Sequence, residues 1–169
     1  MKRKIAALLV ASLLSATPAF AAKGTPKWKP GDTPPAALGV ALDGTQLETT
    51  QFAGKVLVVT FWASWCGPCK KELPMLEGLQ NASKNAIQVV AINIEDRDQF
   101  RAVSKALSSL NIKIAHDYRK IASDAFGVGG IPHMVLIGRD GKIINVHVGY
   151  SEEAIDSILA EINQALARG

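Results

Sequence analysis

The sequence predicts an α/β domain, a central mixed β-sheet flanked by helices, and three observations carry that prediction. Two apolar, β-branched runs, Val56–Ala63 and Ile87–Ile94, read as buried strands. Stretches of helical period lie between these runs and the later ones, giving the strand–helix–strand order of a parallel crossover. Asp43-Gly44 and Asp140-Gly141 stand between short apolar runs, where they make hairpin turns and add antiparallel pairs. With 169 residues, 48% apolar and 20% charged, the chain has the length for one domain with a sizeable core.

Residues 1–21 read as a secretory signal. Lys2-Arg3-Lys4 is its basic region, Ile5–Leu14 its apolar one, and Ala19-Phe20-Ala21 a small-residue cleavage motif. The competing reading is an uncleaved membrane anchor. The apolar stretch is shorter than the ~20 residues a spanning helix needs, and Ser15, Thr17 and Pro18 interrupt it. No cysteine stands directly after the cleavage motif, which excludes lipoprotein attachment. Export by a cleaved signal places the protein in the periplasm. Without Lys2, Arg3 and Lys4, the 19 basic residues become 16 against 15 acidic ones. That near-neutral balance gives no electrostatic case for nucleic-acid binding.

Residues 22–35, rich in Pro, Gly and Lys, form an extended lead-in, and residues 36–169 form the domain. Leu38–Leu42 and Thr45–Leu47 make the first hairpin. After the strand Val56–Ala63 comes a helix marked by Leu73, Leu76 and Leu79, with Pro74 expected to kink it. Ile87–Ile94 is the next strand. Asp96–Leu110 is a helix, with Phe100, Val103, Leu107 and Leu110 on one face. Ile112–His116 is a short strand, and Arg119–Phe126 a short helix ended by Gly127. The run Val128–Ile137 pairs through Asp140-Gly141 with Lys142–Val148. Ser151 opens the last helix, striped by Ile155, Ile158, Leu159, Ile162 and Leu166.

The chemistry lies in Trp65-Cys66-Gly67-Pro68-Cys69, which holds both cysteines of the chain at a strand-to-helix junction. Free amides and a partial positive charge at a helix N-terminus favour a thiolate, so Cys66 should titrate below the about 8.5 of a free thiol. Cys69, one turn further in, can reach back to close a disulfide. Cys66 is then the exposed attacking thiol and Cys69 the buried resolving one. Pro68 suits the first helical turn. A structural staple is the alternative, but closing so short a loop contributes only about 2 kcal/mol.

Phe61-Trp62-Ala63-Ser64-Trp65-Cys66-Gly67-Pro68-Cys69 resembles the active site of the thioredoxin superfamily. The flanks resemble the periplasmic TlpA/ResA-like thiol–disulfide oxidoreductases, from about Gly31 to Ala167. The N-terminal hairpin and the helix and strand over 96–116 resemble that group's additions to a thioredoxin-like fold. The resemblance implies a cis Ile131-Pro132 peptide facing the cysteines, with Trp65, Ile131 and Pro132 contacting substrate. His133 departs from the threonine usual after this proline. It either tunes the pair together with Gly67 and Pro68, binds metal, or points away from the site. Thr60 stands where thioredoxins carry a buried acid. The resemblance implies a glutamate at the end of the next strand as proton acceptor for Cys69. Glu95 stands there, with Asp96 as the alternative; both are otherwise loop acids, with Asp96 or Asp98 capping the helix. His116 and His147 read as structural.

The expected activity is thiol–disulfide exchange with protein disulfides or dithiols. The direction is that of a reductase, because the Gly-Pro spacer resembles reducing thioredoxins. The resemblance implies an upstream membrane electron donor of the DsbD/CcdA type and substrates such as apocytochrome c or copper-site assembly proteins. The protein is expected to be a monomer with no cofactor beyond the Cys66–Cys69 pair and no metal. The alternative is a copper metallochaperone using Cys66, Cys69 and His133. A peroxidase is rejected, because peroxiredoxins require proline and threonine where Val59 and Ala63 stand.

Overall fold

A computed structural model describes residues 27–168, so the secretory-signal reading of residues 1–21 lies outside the described residues. Seven strands form one sheet: β1 Ala37–Ala41, β2 Gln46–Glu48, β3 Val56–Trp62, β4 Ile87–Asn93, β5 Lys113–His116, β6 His133–Ile137 and β7 Ile143–Val148. Four α-helices accompany it: α1 Gly67–Ala82, α2 Arg97–Leu107, α3 Ile121–Phe126 and α4 Glu152–Ala167. The spatial order is β2-β1-β5-β4-β3-β6-β7. β3, β4 and β5 run parallel, and the hairpins β1–β2 and β6–β7 join antiparallel at the two sides. The sheet is therefore mixed, as the crossover and the two Asp-Gly turns require. All seven residues of β3 are buried, which fits a central strand covered on both faces.

Side chains alternate along the strands, so the sheet separates two cores. One face holds Val56, Val58 and Trp62 of β3 with Leu73 and Leu76 of α1, Phe100 of α2, Ile158 and Ile162 of α4, and both cysteines. The other holds Leu57, Val59 and Phe61 with Leu38, Leu47, Ala122 and Phe126. Trp28 of the lead-in packs on this second core and donates from Nε1 to the Ala125 carbonyl at 3.2 Å. Gly31 and Asp32 exchange backbone bonds with Ile143, so the end of the lead-in is fastened to the domain.

Two helix ends differ from expectation. α2 ends at Leu107, although Leu110 still packs on the first core. α3 starts at Ile121, because Lys120 before it is in the left-handed region. α1 runs on through Pro74 as one helix, its exposed proline giving up a single backbone donor. Gly39, at φ +87°, is required at a bulge in β1: a Cβ there would meet the His116 carbonyl oxygen of β5 at 2.8 Å.

Candidate active site

The fully buried β3 delivers the chain to a turn over 63–66, closed by the Cys66 N–H donating to the Ala63 carbonyl at 3.1 Å. α1 then begins, with Cys66 as its N-cap in extended conformation and Pro68 in the first turn. Cys66 and Cys69 are joined in a disulfide, their Cα atoms 5.3 Å apart. Cys66 Sγ accepts from the Cys69 N–H at 3.2 Å. A sulfur held by the free amides of a helix start is in a place that supports negative charge. In the disulfide Cys66 is only 4% exposed, and Cys69 is wholly buried. The exposure expected of the attacking sulfur falls on its rim instead, with Trp65 67% exposed and Gly67 and Pro68 open to solvent.

Under the disulfide lies an acid that the sequence reading passes over. Glu72 follows Cys69 by three residues, so the two share a helix face. Its side chain is 2% exposed, and Oε2 accepts from the Thr60 hydroxyl at 2.6 Å. Burial pushes its pKa up to about 7, against the smaller opposing pull of the Thr60 bond. Thr60 thus occupies the strand position expected to carry an acid, and it contacts an acid supplied from the helix. The sequence does contain a signal: Cys69, Glu72, Leu73 and Leu76 fall at i, i+3, i+4 and i+7, which puts Glu72 in the buried stripe of α1.

Glu95 and Asp96, at the end of β4, have separate occupations. Asp96 caps α2, its Oδ1 accepting from Asp98 N–H at 3.1 Å and Gln99 N–H at 2.9 Å. A cap of this kind contributes ~1 kcal/mol to the helix. Glu95 is buried and reaches back to the cysteine turn, where it holds Ser64 by both the backbone N–H and the hydroxyl. Burial pushes its carboxyl up, but hydrogen bonds from Asn93 and Ser64 outweigh that and hold it below the usual carboxylate range.

The Ile131-Pro132 peptide is cis. Ile131 packs on the core that contains both cysteines, and the Pro132 carbonyl accepts from the Gly149 N–H at 2.8 Å. His133 goes the other way. It lies opposite Phe61 in the β3–β6 register, so both side chains point to the second core, and the two rings meet edge-on at 6.0 Å between centroids. It is 2% exposed, and neither ring nitrogen has a hydrogen-bond partner. Burial lowers its pKa. The structure therefore does not bring Cys66, Cys69 and His133 together, and no cluster of three metal-ligating side chains occurs among the described residues. His116 stacks on Phe100 and His147 meets Glu161 at 2.9 Å, both as parts of the packing.

The chain is similar to known proteins. The Redoxin family description matches residues 29–165. The thiol–disulfide oxidoreductase ResA of Bacillus cereus is 30% identical over 125 residues, covering 72% of this chain and 71% of that protein. ResA of Bacillus subtilis is 29% identical over 116 residues, covering 67% and 64%. A Chlorobium tepidum structure, provisionally named thiol:disulfide interchange protein DsbE, is 30% identical with a TM-score of 0.72, covering 82% of this chain and 98% of that one. A disulfide-bonded cysteine pair at a helix N-terminus, on a thioredoxin-like sheet and among these relatives, makes this chain a member of the redoxin family and a thiol–disulfide oxidoreductase of the ResA kind.

Proposed function

We propose that the protein is exported and reduces disulfides in protein substrates, starting from the dithiol form of Cys66 and Cys69. One observation carries this reading: the pair at the helix N-terminus has beneath it a buried acid, Glu72, that titrates near neutrality. As a thiolate, Cys66 attacks one sulfur of a substrate disulfide. That bond breaks, a mixed disulfide forms, and the departing sulfur takes a proton from water. Cys69 gives its proton to the Glu72 carboxylate and attacks Cys66 Sγ. The Cys66–Cys69 bond forms, the second substrate sulfur leaves, and two electrons have passed to the substrate. Trp65 offers substrate an exposed aromatic rim, and the family resemblance assigns Ile131-Pro132 to the substrate contact beside it. Glu72 replaces Glu95 as the proton acceptor, because Glu95 is held as a carboxylate by three donors.

Reduction is favoured over oxidation by the likeness of Gly67-Pro68 to the spacer of reducing thioredoxins. A membrane dithiol donor of the DsbD/CcdA type regenerates the reduced form, and the protein acts as a monomer. The cleavage motif at 19–21 supports release into the periplasm. No helix among the described residues is long and apolar enough to cross a membrane. Proteins of cytochrome c or copper-site assembly are the substrates the family resemblance supplies.

The test is redox equilibration of the pair, with glutathione and thioredoxin as reference couples, beside trapping by Cys69→Ser. The expected potential lies near that of thioredoxin, about −270 mV, and Cys69→Ser accumulates a mixed disulfide through Cys66. A potential near the about −120 mV of DsbA overturns the direction. Failure of the wild type to reduce insulin with a dithiol donor overturns the activity.

A further inference from the structure

Glu95 is 5% exposed, and each of its polar atoms is engaged. Oε2 accepts from the Ser64 N–H at 2.6 Å and from Asn93 Nδ2 at 2.7 Å, and Oε1 accepts from the Ser64 hydroxyl at 2.7 Å. Its own N–H donates to Asn93 Oδ1 at 2.9 Å. Its carbonyl oxygen lies 2.9 Å from His116 Nε2. A carbonyl can only accept, so that nitrogen carries a proton and donates. The His116 ring is stacked on Phe100 with 4.2 Å between centroids, which fixes the support from behind.

Ser64 is the first residue inside the turn that presents Cys66. One residue gripped at both its backbone and its side chain leaves that turn little freedom, and the Cys66 N–H to Ala63 carbonyl bond completes it. Trp65 follows directly and is turned out to solvent. The grip needs a carboxylate: three donors converge on two oxygens, and protonation would place a fourth hydrogen among them.

We infer that Glu95 is a positioning residue for Cys66, one that anchors the Ala63–Cys66 turn through Ser64 and, by its negative charge on that turn, makes the Cys66 thiolate harder to form. The two ends of the turn then oppose each other. The start of α1 stabilises the thiolate, and Glu95 limits that stabilisation. A less stable thiolate means a less stable reduced pair, so the dithiol yields its electrons more readily; a strong oxidant is the reverse case. The anion state of Glu95 agrees with its hydrogen bonds, which hold its carboxyl below the usual range against the effect of burial. Other ionisable groups on the neighbouring elements include Lys70, Lys71 and Glu72 of α1, Asp96, Arg97 and Asp98 at the start of α2, His116 of β5 and Lys120 before α3. Lys120 Nζ is spent on the Ile94 carbonyl and Asp96 on its cap. The inference rests on the reductase reading for its consequence, though not for its geometry.

The experiment titrates Cys66 in the reduced full chain, by thiolate ultraviolet absorbance and by alkylation rate against pH, in wild type, Glu95→Gln, Ser64→Ala and the double variant. Glu95→Gln should raise the Cys66 thiolate fraction about three-fold at pH values below its midpoint and make the potential more oxidising. Ser64→Ala should shift both in the same direction by less, and the double variant should fall short of the sum, because the two residues form one contact. An unmoved Cys66 titration in folded Glu95→Gln overturns the inference. Resolution lost with the titration unmoved also overturns it, and makes Glu95 a general base. Should Glu95→Gln fail to fold, Ser64→Ala decides alone, an unmoved titration being the adverse result. A shifted titration in a protein that reduces no disulfide upholds the positioning role and removes the proposed function instead.

Discussion

On the cysteine face of the sheet a buried carboxyl, Glu72, accepts a hydrogen bond from Thr60 at 2.6 Å. On the opposite face a buried imidazole, His133, meets the edge of Phe61 and finds a partner for neither nitrogen. Thr60 and Phe61 are consecutive in β3, so the strand's alternation alone sends the two sites to separate cores. Burial acts on both in the sense that disfavours charge, raising the acid and lowering the base. What differs is the neighbourhood. Glu72 lies one helical turn from a sulfur that must lose a proton. His133 lies against Phe61 on the second core, with neither ring nitrogen partnered. A shifted titration becomes useful only where a reacting atom shares the same core, which is why the acid serves the chemistry and the imidazole serves packing.

Glu72→Gln should break the comparison most severely. It keeps the shape and a hydrogen-bonding partner for Thr60 but cannot accept a proton, so resolution by Cys69 at neutral pH should slow about 100-fold. Stability moves the other way. The folded acid stays protonated up to about 7, whereas the unfolded one loses its proton near 4.5. Unfolding therefore releases a proton in that window, and the wild type loses stability as pH rises through it. At about pH 8 the variant should be more stable by up to ~3 kcal/mol, and near pH 4 it should gain nothing. Urea unfolding at the two pH values, with stopped-flow resolution of a mixed disulfide, checks both halves.

His133→Leu should sharpen the comparison by touching only the second face. Two unpaired polar atoms leave an apolar core, so stability at neutral pH should rise by ~1–3 kcal/mol. Because the folded imidazole titrates below its ordinary 6.5, the unfolded chain binds the extra proton as pH falls through that value. The wild type thus loses stability on acidification across this window, and the variant should lose less. Turnover should stay within about two-fold of wild type, and the reduction potential should not move. A potential that moves with His133→Leu would put the imidazole back into the redox site.

Much of this was legible in the sequence where the determinants are local. The strands declare themselves by β-branched runs, the hairpins by Asp-Gly turns, and the site by a two-residue spacer at a strand-to-helix junction. Pairings across the chain were not legible. The sequence puts Glu95 just after β4, but its hold on Ser64 spans 31 positions and depends on β3 and β4 lying side by side. The face chosen by His133 follows from its register with Phe61, and register is a property of the folded sheet rather than of either strand. Glu72 was hidden by its company. After Lys70 and Lys71 it reads as part of a solvated charged turn, and only its spacing from Cys69, Leu73 and Leu76 shows the side chain turning inward.

Thr60→Val tests the one contact that gives Glu72 a partner. The swap keeps the β-branched shape and deletes the hydroxyl, so β3 should remain intact at a cost of ~1 kcal/mol. The Thr60 bond lowers the pKa of Glu72, and removing it leaves burial unopposed. The carboxyl should then titrate above about 7, and the ionised form should become scarcer at neutral pH. If Glu72 is the group that takes the Cys69 proton, the limb of the pH profile for mixed-disulfide resolution should move to higher pH in Thr60→Val, with its plateau little changed. If that limb stays in place while the protein remains folded, the titrating group is not Glu72, and the contrast between the two faces would reduce to one of packing.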